Sequence, residues 1–171
     1  MKNIIIRIII SIVVILVISA CSKDEESTTI TYTCTGSSSG SGPTIGGVTL
    51  KEATYTSGSN SLTFVNSTSA NSVYSGQSPF CYTIDLTSTT ASMLKTNSAN
   101  TGNATLGGQS LSGYDNVTAY YTIMANSDLN ATYHMYIFAD NDSSFYLNGW
   151  GYDSKSKADA VYVLSKLYTE Q

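Results

Sequence analysis

Along residues 80–87, FCYTIDLT, apolar and polar positions alternate: Phe80, Tyr82, Ile84 and Leu86 take one face, Cys81, Thr83, Asp85 and Thr87 the other. That period of two predicts a half-buried β-strand. The run 131–139, ATYHMYIFA, repeats it, with Tyr133, Met135 and Ile137 on one face and His134 opposite them among Thr132, Tyr136 and Phe138. In 117–125 both faces carry apolar or aromatic groups, Val117, Ala119, Tyr121 and Ile123 against Tyr120 and Met124, so a strand covered on both sides is expected. Shorter β-type runs at 53–56, 61–65, 72–74, 90–95 and 144–150 are cut by Ser, Asn, Gly and Asp, which brings the count to about eight.

The pattern changes at both ends and once in the middle. Ala160, Val163, Leu164, Leu167 and Tyr168 recur at helical spacing, Ser156 and Asp159 approximate a capping box, and together they predict a helix over about 156–169. Residues 97–115 include GNATLGGQSLSGYD, a Gly/Ser-rich stretch expected to be a mobile loop. Residues 22–47 are poor in apolar side chains and rich in Ser, Thr and Gly, so 21–47 reads as a tether and 48–171 as one β-rich domain. The expected fold is mainly β: about eight short antiparallel strands as a small barrel, or alternatively a sandwich, with one C-terminal α-helix.

The first twenty residues have a different logic. Lys2 and Arg7 precede an apolar run from Ile8 to Ile18 that ends in Ser19-Ala20, the layout of a secretory signal rather than of a spanning helix, which needs about 20 apolar residues. Its removal leaves six lysines, no arginine and all twelve acids, a formal charge of about −6. A chain without a basic patch is not expected to bind nucleic acid, and one without arginine is poorly equipped to grip anionic substrates. Three cysteines would leave an odd one. If Cys21 is consumed, Cys34 and Cys81 remain, either as free thiols or as a disulfide whose loop closure is worth about 4 kcal/mol. One histidine and two distant cysteines do not make a zinc set, so neither metal nor cofactor is expected.

Ile18-Ser19-Ala20-Cys21 resembles the bacterial lipobox. The resemblance implies acylation of Cys21, cleavage before it, and anchoring to a membrane by acyl chains of the palmitate class. Ser22, in place of an aspartate, implies the outer membrane of a bacterial envelope. The strand order, and ATYTSGSNSLTFVNSTS as an opening hairpin, resemble the small lipocalin-like barrels of bacterial lipoproteins, although the only tryptophan, Trp150, lies in NGWGYD rather than near the first strand. Low arginine with high Ile, Asn and Tyr is the usage of an AT-rich genome of the spirochaete kind.

Candidate chemistry is sparse. His134 is alone on a strand, and no G-x-S-x-G elbow accompanies it. DNDSS at 140–144 begins like a calcium loop, but Phe145 and Gly151 stand where glycine and glutamate are required, so a hairpin turn is expected. No catalytic constellation emerges, and the chain is read as a binding protein rather than an enzyme. Thirteen tyrosines against four phenylalanines are the remaining signal. Turned inward they would line a site for a small apolar or amphipathic ligand, with Tyr82, Ile84, Tyr121, Ile123, Tyr133, Met135 and Trp150 as its candidate walls. Turned outward they would serve a surface antigen or adhesin that grips a host or envelope macromolecule.

Overall fold

The computed structural model describes residues 33–75, 77 and 79–171; the leader, Cys21 and the start of the tether lie outside the described residues. Two short strands, β1 (Thr44–Ile45) and β2 (Val48–Thr49), precede β3 (Thr54–Ser57), β4 (Asn60–Asn66) and β5 (Ser69–Val73). The long β6 (Phe80–Thr96) is followed by β7 (Asn103–Leu106), β8 (Gln109–Ser112) and β9 (Tyr114–Asn126). After β10 (Ala131–Asn141) and β11 (Ser144–Leu147) come the helix α1 (Lys155–Asp159), β12 (Val163–Leu164) and β13 (Lys166–Glu170).

Eight of these strands close into an antiparallel up-and-down barrel in the order β3-β4-β5-β6-β9-β10-β11-β13, with β13 pairing back onto β3. Closure leaves no exposed sheet edge in the wall. The eight are not the eight legible in the pattern. Residues 80–87 and 90–95 belong to the single strand β6, whose register against β9 shifts between Leu86 and Thr90, so a bulge rather than a turn separates the two runs.

The eighth place is taken by β13, where a helix over 156–169 was expected. The helix spans only Lys155–Asp159, its N-cap is Ser154, and Asp159 accepts from Lys155 and Tyr136 instead of closing a capping box on Ser156. In the helical stripe Leu167 and Tyr168 would share the core, whereas here Tyr168 is buried and Leu167 is 42% exposed. Pairing with both β3 and β11 satisfies the backbone groups of two strands that would otherwise be edges, and this outweighs the helical spacing of five apolar residues. The stretch 97–115 also departs from expectation. It contains the β7–β8 hairpin, because Gly107 and Gly108 supply the two positive φ values, 58° and 80°, of a tight two-residue turn.

The barrel interior is filled by one cluster in which Phe145, Tyr55, Phe64 and Tyr168 meet at ring-centroid distances of 4.9 to 5.7 Å. One end is plugged by the β1–β2 hairpin, which buries Ile45 and Leu50 and is tied by the Tyr55 hydroxyl, donor to the Asp142 carbonyl and acceptor from the Lys51 N–H. A second cluster forms outside the wall, where Met93, Ala119, Tyr121, Tyr136 and Tyr146 are covered by Ala158 and Leu164. Buried Asn148 fastens this cover: its Oδ1 accepts from the Tyr136 N–H, and its amide donates to the Ala158 and Val161 carbonyls. The two-sided apolar character of 117–125 has its cause here, since β9 faces the barrel core on one side and this cover on the other.

The tether reading of 21–47 is corrected at its C-terminal part. Cys34 is bonded to Cys81, and its N–H donates to Asn71 Oδ1 at 2.7 Å. From there the chain runs as a strap past Asn66, near which Gly36 lies, to Glu52, which accepts from Ser38 Oγ and the Gly40 N–H, and then enters the plug. Low apolar content misled because this strap is held by a covalent bond and by hydrogen bonds rather than by burial.

Candidate functional site: an aromatic mouth

The connections 58–59 and 127–130, the described part of the β5–β6 connection and the start of 148–165 lie at the end of the barrel opposite the plug, as the up-and-down order requires, while α1 and β12 run along the outer wall, where β12 pairs with Leu94 and Lys95 of β6. Here the interior ends in a small cavity of about 20 Å³ walled by Leu62, Tyr82, Met124, Tyr133, Met135 and Tyr168, with room for about one water molecule. Tyr74, Tyr82 and Tyr133 also line an outer cleft of about 270 Å³, together with Phe80 and Leu129. The two spaces therefore lie side by side and share a wall of phenols; we call the outer one the vestibule.

Trp150 sits over this mouth because of its neighbours in NGWGYD. Gly151 has φ of 112°, and a Cβ there would come within 2.8 Å of Tyr133 Cβ, so only glycine lets the chain turn tightly over the β10 wall. Trp150 packs edge-on against Tyr74 and Tyr168, each with centroids 6.0 Å away, and its carbonyl accepts from the Tyr74 hydroxyl at 2.8 Å. The Lys166 ammonium lies 4.7 Å from the indole centroid, close enough for a cation–π contact.

Burial pushes the Tyr82 phenol up to about 12, helped by the neighbouring phenols of Tyr133 and Tyr74. Burial is also the first cause of the upward shifts of Tyr168 and Tyr74. These hydroxyls stay protonated at neutral pH. No residue lining the cavity or the vestibule carries a formal charge. Such a surface holds an apolar body and offers uncharged hydroxyls to a polar tip.

Four of the seven candidate walls, Tyr82, Tyr133, Met135 and Trp150, meet at the mouth. Ile84 faces the interior among the core residues. Tyr121 and Ile123 are corrected: they lie in the outer cluster, and their neighbours Tyr120 and Met124 pack against the inner core. With both faces of β9 apolar, alternation leaves the choice open; cross-strand pairing of Met124 with Ile84 and with Tyr133 decides it. Tyr74, Tyr168 and Leu129 are wall or rim residues that the pattern did not single out, Tyr168 because it was read as helical and Leu129 because it lies in a turn.

His134 lies on the outer wall. Its ring stacks on Tyr121 with an interplanar angle of 7°, and Nδ1 is 2.5 Å from the Tyr121 hydroxyl. Beside it Lys155 pairs with the Asp159 carboxylate and Tyr136 donates to it, which holds α1 on the wall and keeps the Asp159 carboxyl below its usual range. Asp140 lies at the end of β10, and Asn141 to Ser144 form the β10–β11 turn, in which the Ser143 N–H donates to Asn141 Oδ1. Among the described residues, no three His, Cys, Asp or Glu side chains gather as a metal set. No family model, curated protein or solved structure matches this chain.

Proposed function

We propose that this is a lipid-anchored bacterial envelope protein that acts by binding, and that its site for a small apolar or amphipathic ligand is the aromatic mouth. The observation that carries the reading is that an uncharged outer cleft and the inner cavity share the phenol side chains of Tyr74, Tyr82 and Tyr133 at the barrel end that the β1–β2 hairpin does not plug. The filled interior limits the ligand to one that seats an end of its apolar part rather than a whole molecule. The outer-wall tyrosines, Tyr121, Tyr136 and Tyr146, are already occupied by the α1–β12 cover, which weighs against an adhesive role for that wall. Acylated Cys21 supplies the membrane attachment, and the acidic mature chain has no use for nucleic acid.

The rim offers the test. Leu129 is 47% exposed and lines the vestibule. Leu129→Asp removes an apolar contact and places a carboxylate beside the ligand, and should weaken binding of the neutral fluorescent probe N-phenyl-1-naphthylamine about tenfold, the equivalent of losing one partly buried leucine. Equal affinity in wild type and variant would place the probe elsewhere and overturn the assignment of the mouth.

A further inference from the structure

We infer that the anchored protein docks its aromatic mouth on the lipid bilayer, and that the Cys34–Cys81 disulfide sets this orientation. The inference rests on the lipid-anchor reading and adds to it the direction in which the site faces. Three observations carry it.

The first is where the chain leaves the barrel. Cys81 follows Phe80 of the vestibule directly, and the disulfide pins Cys34 to it. Thr33 and Cys34 lie in a polar cleft of about 440 Å³ whose other walls include Asn126 at the end of β9 and Asp128 and Asn130 of the β9–β10 connection. Leu129 of the same connection lines the mouth, so the chain leaves at the mouth's own rim.

The second is length. Thirteen residue steps separate Cys34 from Cys21. A chain of thirteen residues has a typical reach of about 20 Å. The seven residues of β4 rise about 23 Å, so the reach is about one barrel height. An anchor attached at the mouth end therefore brings that end to the bilayer first. Without the disulfide, one backbone hydrogen bond from the residue 34 N–H to Asn71 would hold the chain there, and the next attachments are Ser38 and Gly40 on Glu52 and Gly42 on Leu50, at the plugged end. The covalent bond thus decides which end faces the lipid.

The third is chemistry. The mouth presents Trp150, Tyr74, Phe80, Tyr133 and Leu129 around buried Tyr82, with no formal charge on the lining. Tryptophan and tyrosine settle at the boundary between headgroups and hydrocarbon, where one part of the ring is apolar and the other wet.

Trp150 is the only tryptophan of the chain and stands in the mouth, which makes it the reporter. Full-length acylated protein is reconstituted into phosphatidylcholine vesicles with brominated acyl chains, and its emission is compared with that in unbrominated vesicles. Trp150 emission should fall about twofold, as for an indole at the interface. In the C34S/C81S double variant the fall should shrink to a small fraction. A reporter at the plugged end, Thr44→Trp in a Trp150→Phe background, should stay unquenched while the disulfide is intact. Protein that floats with the vesicles but keeps full Trp150 emission would overturn the orientation alone. Protein that does not float would overturn the anchor and the orientation together. Equal quenching with and without the disulfide would overturn the role given to the bond.

Discussion

Replacing both Cys34 and Cys81 by serine should lower the free energy of unfolding by about 4 kcal/mol, the loop-closure value for a bridge of this span. The residues are 47 apart, so the bond removes much of the freedom of the unfolded chain. In the folded state the double variant keeps the Glu52 contacts and the buried Ile45 and Leu50, so the barrel itself should still form. For a domain of this size the loss corresponds to a fall in melting temperature of about 10–15 °C. Thermal unfolding followed by circular dichroism, without reductant, reads it. An unchanged melting temperature would mean that the strap adds nothing to the global fold, and that the bond serves placement alone.

The second large effect is expected in the core. Phe145→Ala should cost about 3–5 kcal/mol, because a fully buried ring is replaced by a cavity. Phe145 is 0% exposed and touches the rings of Tyr55, Phe64 and Tyr168 from three different strands, so little can collapse into the space. With total stabilities of about 5–15 kcal/mol for such domains, the variant stands near the threshold of folding. The comparison that gives the number meaning is Leu167→Ala. Leu167 points outward from β13, and its truncation should change stability by less than about 0.5 kcal/mol. Urea midpoints of the two variants measure the contrast. A large loss from Leu167→Ala would restore the helical stripe, in which Leu167 belongs to the core, and would contradict β13 as the closing strand.

The parts of the fold legible in the sequence are those where one face is apolar and the other polar. β6 from Phe80 to Leu86 turns the expected side chains inward because its other face is polar, and β10 turns Tyr133, Met135 and Ile137 inward while Tyr136 on its other face is buried under the outer cover. Legibility fails where the physics is not local. In β9 both faces are apolar, so the inward set is chosen by pairing with β6 and β10, which no window of residues contains. In 160–168 helical and extended spacing compete over the same few apolar residues, and the need to close a barrel between β3 and β11 settles the matter from outside the segment. The strap at 34–41 buries little, and its place follows from a cysteine 47 residues away.

The mouth was half legible for the same reasons. Tyr82, Tyr133 and Met135 come from the clean alternating strands, and Trp150 from its glycine-flanked motif. Tyr74, Tyr168 and Leu129 belong to a strand end, a misread helix and a turn, where residue pattern carries no direction. The interior expected to be a ligand chamber is instead filled by Tyr55, Phe64, Phe145 and Tyr168, which moves the candidate site from the centre of the barrel to its open end.

The proposed orientation of the mouth toward the bilayer depends on the proposed acylation of Cys21. Metabolic labelling with a radioactive fatty acid, comparing the wild-type chain with Cys21→Ala, tests that dependence most directly. Label on the wild-type protein and none on the variant is the expected result. Label that persists in Cys21→Ala, or a wild-type protein that takes up none, would contradict it.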